Sequence, residues 1–122
     1  MSGRASHLST ISYAIVLLTA ITASIHLYLS FKFPQPPDPI FLLNGLGYLL
    51  LVVALYGPHP RLLPMRKRVR WLLIAYTALT VVLWIFFGAR TPIGYLDKVV
   101  EVLLIGLLWL ENGRTAATPY HP

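Results

Sequence analysis

Hydrophobic residues fall into four long runs, separated by short segments rich in proline, glycine and charged residues. The runs cover about residues 8–31, 40–56, 69–87 and 93–110, which are 24, 17, 19 and 18 residues long. A helix that crosses a bilayer needs roughly 17–25 mostly apolar residues. The pattern therefore predicts an all-α fold, namely a polytopic membrane protein built as an antiparallel four-transmembrane-helix bundle, with residues 1–122 forming a single domain.

The segments between the runs contain the residues that end helices. Residues 34–39 include four prolines, and this density favours a stiff, polyproline-like link because proline cannot continue a helix. Residues 57–60 read Gly-Pro-His-Pro and end the second run. Residues 88–92 form a short loop, so the third and fourth helices are expected to be antiparallel neighbours.

Composition supports the membrane interpretation. Hydrophobic residues make up 57% of the chain and charged residues only 11%, whereas about a quarter of the residues of a soluble domain are charged. This excludes an ordinary soluble domain, a disordered tail and a coiled coil. The absence of cysteine excludes disulfides, thiolate zinc sites and iron–sulfur clusters within the chain. No basic run is interleaved with aromatic residues, so no nucleic-acid partner is expected.

Basic residues are unevenly distributed between the two sides of the predicted bundle. Lys32 and Arg90 lie on one side, and seven basic residues lie on the side of the chain ends and of residues 57–68. The seven are Arg4, Arg61, Arg66, Lys67, Arg68, Arg70 and Arg114. Since cytoplasmic loops are enriched in Lys and Arg, we expect a multi-pass protein of the cell (inner or plasma) membrane with both termini cytoplasmic.

The basic segment that precedes the third helix is also a candidate lipid-binding surface. Arg66, Lys67, Arg68 and Arg70 could contact anionic lipid headgroups, each contributing roughly 1 kcal/mol. The orientation of the chain in the membrane explains the same residues without any specific lipid contact.

Polar residues within the apolar runs gather at one depth, in the half of the bundle that faces outward. They are His26, Asn44, Tyr48, Asp97, Lys98 and Glu101. The other half of the runs is expected to be nearly featureless and apolar. An ionisable side chain at membrane depth costs several kcal/mol unless it finds a partner, so these residues form the candidate polar site.

Asp97 and Glu101 are four residues apart and therefore lie on one face of the fourth helix. Two carboxylates one turn apart in a low dielectric repel each other, so a bound proton or a bridging cation is expected, with His26 as the nearest partner in the chain. The structural alternative is that Lys98 pairs with Glu101 as a plain salt bridge and reaches toward the headgroups. In that case His26 binds a neighbouring carbonyl.

No catalytic residues and no cofactor are assigned from the sequence, and enzymatic activity is not expected. No serine has a histidine base and an acid at a suitable spacing. A haem with two histidine ligands would need a second chain, because His26 is the one histidine within the runs. A chlorophyll-type magnesium needs one axial ligand, so a haem, such a pigment or a metal ion remains open.

Three short motifs occur in the polar layer: IHLYL at residues 25–29, NGLGYL at 44–49 and DKVVEV at 97–102. With them the chain resembles small uncharacterised prokaryotic four-span membrane proteins, in which an IHLYL-like stretch on the first helix accompanies DK near the start of the fourth. It is also similar in size and hydropathy to DoxX-type four-helix proteins. The resemblance covers most of the chain and implies fold and membrane location.

Three functions are compatible with the sequence. The leading expectation is an accessory or structural subunit of a larger membrane complex, or a self-associating bundle, with the bilayer and other membrane subunits or further copies of the chain as partners. The alternative is an oligomeric ion- or proton-coupled small transporter in which Glu101, Asp97 and His26 are the working groups. The third is a metal or tetrapyrrole carrier that uses His26 as a ligand.

Overall fold

Four α-helices make up most of the protein in a computed structural model, which describes residues 9–32, 38–88 and 90–117. The helices are α1 (Thr10–Lys32), α2 (Pro39–Tyr56), α3 (Arg66–Phe87) and α4 (Pro92–Ala117), and a 3-10 turn at Leu63–Met65 leads into α3. The predicted all-α fold is confirmed, and the described residues contain no strand. The boundaries differ mainly at α4, which continues beyond the predicted end near residue 110.

Local sequence sets where α2 begins. The Asp38 carboxylate accepts a hydrogen bond from the backbone N–H of Ile40 at 2.9 Å, and Pro39 occupies the first turn, where its missing N–H leaves no bond unmade. Ser30 of α1 donates its hydroxyl to the Asp38 carbonyl at 2.8 Å, which joins the end of α1 to the start of α2. The predicted polyproline-like link falls mostly on residues 34–37, which lie outside the described residues.

Glycine ends two of the helices, as the breaker pattern predicts. The Gly57 N–H closes α2 by donating to the Val53 carbonyl at 2.7 Å, and the Gly88 N–H closes α3 by donating to Trp84 at 2.8 Å. In α4 the first turn is capped by the Thr91 hydroxyl, which accepts from the Gly94 N–H at 3.1 Å.

The helices form a ring in which each packs against the next and α4 packs against α1. Trp84 stacks edge-on against Tyr95 near the end of α3 and the start of α4, while Trp71 stacks against Trp109 at the opposite end, so these helices are antiparallel. We call the end with the α1–α2 and α3–α4 connections the two-loop end. The end with the α2–α3 connection is the one-loop end.

Apolar side chains fill the middle of the ring. Ile15, Leu55, Leu73 and Leu108, one from each helix, are fully buried and pack together with the equally buried Leu104. We call these five residues the apolar layer.

Two buried threonines accompany this layer. Thr19 donates its hydroxyl to the Ile15 carbonyl at 2.7 Å, and Thr77 donates its own to Leu73 at 2.8 Å. Each hydroxyl is thus bound to the backbone of its own helix.

Three of the four helices are long and apolar enough to cross a membrane: α1, α2, and α3 together with the turn that precedes it. The fourth is less clear. Its apolar stretch also contains Asp97, Lys98 and Glu101. The helix is long enough for the predicted span over residues 93–110, but these charged residues make it less apolar than the other three helices.

The close approach of α1 and α2 at Gly45 yields a stability prediction. A Cβ added at Gly45 would lie 3.0 Å from the Ala23 carbonyl oxygen of α1 and 2.9 Å from Leu27, so α1 and α2 would have to separate. We expect Gly45→Ala to destabilise the fold by about 1–3 kcal/mol. At Gly106 an added Cβ meets nothing within 4 Å. Gly106→Ala is the control and should be neutral or stabilising in thermal unfolding followed by circular dichroism; equal losses for both variants would contradict the packing.

Candidate functional site

A cluster of buried ionisable side chains lies between the four helices, toward the two-loop end. Its charged or ionisable members come mainly from α4, and its hydroxyl groups come from the other three helices. The members are Thr22, His26, Tyr48, Thr80, Asp97, Lys98 and Glu101. Lys98 is half-buried and the rest are buried. We call this group the His26 cluster.

Glu101 is the centre of the cluster and is fully buried. One of its carboxylate oxygens, Oε2, accepts hydrogen bonds from the Tyr48 hydroxyl at 2.5 Å and from the Thr80 hydroxyl at 2.7 Å. Its other oxygen, Oε1, accepts from the Lys98 ammonium. A buried carboxylate is tolerated only when its lone pairs are satisfied, and these three donors meet that requirement.

Asp97 is arranged in the same way one turn earlier. Its Oδ1 accepts from the Thr22 hydroxyl of α1 at 2.5 Å, and its Oδ2 lies 3.2 Å from the Lys98 ammonium. Each carboxylate therefore has one oxygen held by hydroxyl groups and one oxygen facing Lys98. The ammonium sits where the two free oxygens converge.

His26 completes the cluster from α1. Its Nδ1 lies 2.8 Å from the backbone carbonyl of Thr22, and its Nε2 lies 3.6 Å from Asp97 Oδ2. A carbonyl oxygen can only accept, so Nδ1 carries a proton and Nε2 is the nitrogen that faces the carboxylate. The rings of Phe41 and Tyr48 flank the imidazole, with centroids 6.0 and 5.7 Å away.

The cluster contains two carboxylates, one ammonium and one imidazole. Two carboxylates face one ammonium, so with a neutral imidazole the group holds one net negative charge. His26, Asp97 and Glu101 each offer a ligand atom, and these three atoms lie within 4.8 Å of one another. The arrangement can therefore hold one additional positive charge between buried side chains.

Five of the six residues predicted for the polar site occur in this cluster, and Asn44 does not. Its side-chain oxygen is buried and has no hydrogen-bond partner among the described residues. Its backbone carbonyl accepts instead from the Tyr76 hydroxyl at 2.8 Å, which links α2 to α3. Asn44 lies one helical turn before Tyr48 on α2, but no described hydrogen bond joins its side chain to the group around Glu101.

A second buried polar group lies at the one-loop end, in the half that was expected to be apolar. Arg70 donates to Glu111 at 2.8 Å. The same carboxylate accepts from the hydroxyls of Ser12 at 2.5 Å and of Tyr56, and Asn112 lies at the edge of the group. We call these residues the Arg70 cluster. It brings together one residue or more from every helix, and its ion pair is balanced one to one.

The Arg70 cluster corrects the predicted lipid-binding surface. Arg70 is 5% exposed and points into the bundle, because a carboxylate there compensates its charge. Lys67 and Arg68 are exposed, and their contact with anionic lipid stays a prediction. Arg66 is half-buried, and its guanidinium donates to the Leu55 carbonyl at 3.0 Å.

Sequence reasoning named Tyr48 but missed the two threonines, Thr22 and Thr80, whose hydroxyls also hold the carboxylates. Thr22 precedes His26 by four residues and shares its face of α1, and this spacing was the available signal. Another signal lay on α4. Its buried face is spaced by alternating steps of four and three residues, through Asp97, Glu101, Leu104, Leu108 and Glu111. Extending that face would have placed Glu111 inside the bundle.

Comparisons with protein-family models, with curated proteins and with solved structures find no match to this chain. Functional conclusions for it therefore depend on the geometry of its own residues.

The hydrogen bond from Tyr48 to the Glu101 carboxylate gives the second prediction. Tyr48→Phe removes a hydroxyl donor from a buried carboxylate, and we expect a loss of about 1.5–3 kcal/mol in the free energy of unfolding. Tyr76→Phe removes a hydroxyl that donates to a neutral carbonyl and should cost only about 0.5–1.5 kcal/mol. Thermal unfolding of both variants in mild detergent makes the comparison. A Tyr48→Phe loss no larger than that of Tyr76→Phe would show that Glu101 is not held as described.

Proposed function

We propose that the protein is a four-span membrane protein whose His26 cluster binds a cation, and that an oligomer of the chain carries this cation across the membrane. The observation that carries the proposal is the make-up of the cluster: two buried carboxylates, Asp97 and Glu101, face the single ammonium of Lys98. The Arg70 cluster, in contrast, pairs one carboxylate with one guanidinium and needs no further charge.

The position of the cluster favours a carrier over a static ion pair. Asp97 and Glu101 lie about 8 and 14 Å along α4 from its start at Pro92, at 1.5 Å per residue. The apolar layer separates the cluster from the one-loop end, so a cation would enter from the two-loop end alone in this conformation. One-sided access to a buried site is what alternating access requires.

Insertion of α4 is part of this proposal. A helix with two carboxylates and a lysine in its apolar stretch is expensive to insert on its own, but the hydroxyls of α1, α2 and α3 satisfy those groups within the bundle. We place the two-loop end outside and both termini in the cytoplasm, following the excess of basic residues at the one-loop end.

Replacement of Glu101 tests the carrier function. Glu101→Gln keeps the shape of the side chain and leaves Asp97 and Lys98 balanced, so the cluster no longer attracts a cation. In liposomes that contain the full chain and are loaded with Na⁺, K⁺ or Mn²⁺, we expect efflux of the trapped cation, measured by atomic absorption, to fall to the protein-free level.

The matched control is Glu111→Gln, the same substitution at the buried carboxylate of the Arg70 cluster. It is expected to lower thermal stability while retaining flux per folded protein, because it leaves the His26 cluster intact. Equal flux through wild type and Glu101→Gln, or no flux above protein-free liposomes in wild type for any of the three cations, would contradict the proposal.

An accessory or self-associating subunit is the second candidate, and one surface favours it. Gly106 and Gly113 are exposed two turns apart on α4, where an added Cβ meets no atom within 4 Å. Small residues let membrane helices approach closely, so this face could receive a helix of a second copy or of another subunit.

Disulfide cross-linking tests that face, since the chain contains no cysteine of its own. We expect Gly106→Cys to form a covalent dimer in oxidised native membranes, because close helix contact brings two such residues together. Leu50→Cys, on the exposed side of α2, is the control and should remain monomeric. A native complex of single-chain size in mild detergent, together with the absence of the Gly106→Cys dimer, would contradict self-association.

A further inference from the structure

We propose that His26 Nε2 and one oxygen each of Asp97 and Glu101 bind a divalent transition-metal ion of the zinc class, in the place that the Lys98 ammonium occupies here. This inference rests on the proposed cation site and names the class of ion that the site takes. Its first support is the convergence of the three ligand atoms within 4.8 Å of one another.

The orientation of each ligand is already fixed by a neighbouring group. Nδ1 of His26 is bound to the Thr22 carbonyl at 2.8 Å, which leaves Nε2 as the nitrogen with a lone pair in the neutral imidazole. Histidine ligands of metals commonly donate their other ring N–H to a carbonyl or carboxylate in this way. Nε2 faces Asp97 Oδ2 at 3.6 Å, which is too long for a direct hydrogen bond and close to the spacing of two ligands on one ion.

The carboxylates are oriented by the same principle. Thr22 holds Oδ1 of Asp97 at 2.5 Å, while Tyr48 and Thr80 hold Oε2 of Glu101 at 2.5 and 2.7 Å. The remaining oxygens, Oδ2 and Oε1, are the two that face Lys98. Hydroxyl groups thus leave one oxygen of each carboxylate directed at a common point.

The donor set selects the class of ion. One imidazole nitrogen and two carboxylate oxygens match zinc and its first-row neighbours, whereas Mg²⁺ and Ca²⁺ favour six or more oxygen ligands. Around a tetrahedral zinc ion, ligand atoms lie about 3.3–3.5 Å apart, given bond lengths near 2.0–2.1 Å. The present separation of 3.6 Å between Nε2 and Oδ2 is close to that spacing.

Charge balance predicts that the metal and the lysine exclude each other. A divalent ion neutralises the two carboxylates, and an ammonium held at the same point would then be an uncompensated like charge. Lys98 is half-buried and lies six residues from the start of α4, so its side chain can extend toward the two-loop end when the metal enters. Lys98 is therefore a built-in competitor for the metal.

The test measures Zn²⁺ binding to the full chain in mild detergent by equilibrium dialysis with metal counting. Lys98→Met keeps all three ligands and removes the competitor, so we expect about tenfold tighter binding than wild type. His26→Ala should weaken binding at least about tenfold. His59→Ala, at an exposed position of the α2–α3 connection, is the control and should bind as wild type does.

Bound Co²⁺ gives a spectroscopic signature that nonspecific binding does not. Visible absorption bands typical of low-coordinate Co²⁺ should appear in wild type, increase in Lys98→Met and be absent in His26→Ala. If His26→Ala fails to fold, the Zn²⁺ affinity of Lys98→Met relative to wild type is the deciding measurement. Tighter Zn²⁺ binding then supports the site, while unchanged or weaker binding overturns it. Equal Zn²⁺ binding by wild type and a folded His26→Ala also overturns it.

The outcomes separate this inference from the proposed carrier function. Flux of Na⁺ or K⁺ that depends on Glu101, with no Zn²⁺ bound at His26, overturns the metal site and leaves the carrier standing. Zn²⁺ binding that responds to Lys98 without any transmembrane flux establishes the metal site and overturns the carrier.

Discussion

The fold depends on the hydrogen bonds that one buried carboxylate accepts from the other helices. Glu101 lies on α4, and its Oε2 accepts from a tyrosine of α2 and a threonine of α3. The hydroxyl of Thr22 on α1, which donates to Asp97, lies 3.4 Å from the same oxygen. All four helices therefore meet at a single carboxylate, and removing a hydroxyl donor would leave a buried carboxylate oxygen short of a hydrogen bond. This requirement determines the rotation of each helix about its own axis.

The two buried polar groups have different consequences because their charges differ. The Arg70 cluster is complete, since a guanidinium with several donors matches a carboxylate that also accepts from two hydroxyls. The His26 cluster holds one carboxylate more than it has lysines. Between them the apolar layer contributes dispersion and close packing without any free polar group. The proposed cation site therefore lies at the two-loop end, and the Arg70 cluster at the other end is a closed ion pair.

Much of this architecture follows from the sequence alone. The four apolar runs and their proline and glycine boundaries predict the four helices, and the spacing of Asp97 and Glu101 predicts a shared face. The sequence did not predict the full length of α4. The residues beyond 110 are mostly polar, and hydropathy does not distinguish a solvated helix from a loop. The sequence also did not predict that Arg70 is buried. Its neighbours are exposed basic residues, and only the packing of α3 against α4 shows that Glu111 lies opposite.

The order of the chain has a consequence for how the protein is made. The hydroxyl donors of the α4 carboxylates belong to residues 22, 48 and 80, all of which leave the ribosome before Asp97 does. When the last helix emerges, the groups that neutralise its polarity are therefore already synthesised and can receive it. In the membrane arrangement proposed above, the first three helices act as the template for the fourth. An α4 transplanted to the beginning of the chain would lack that template during its insertion.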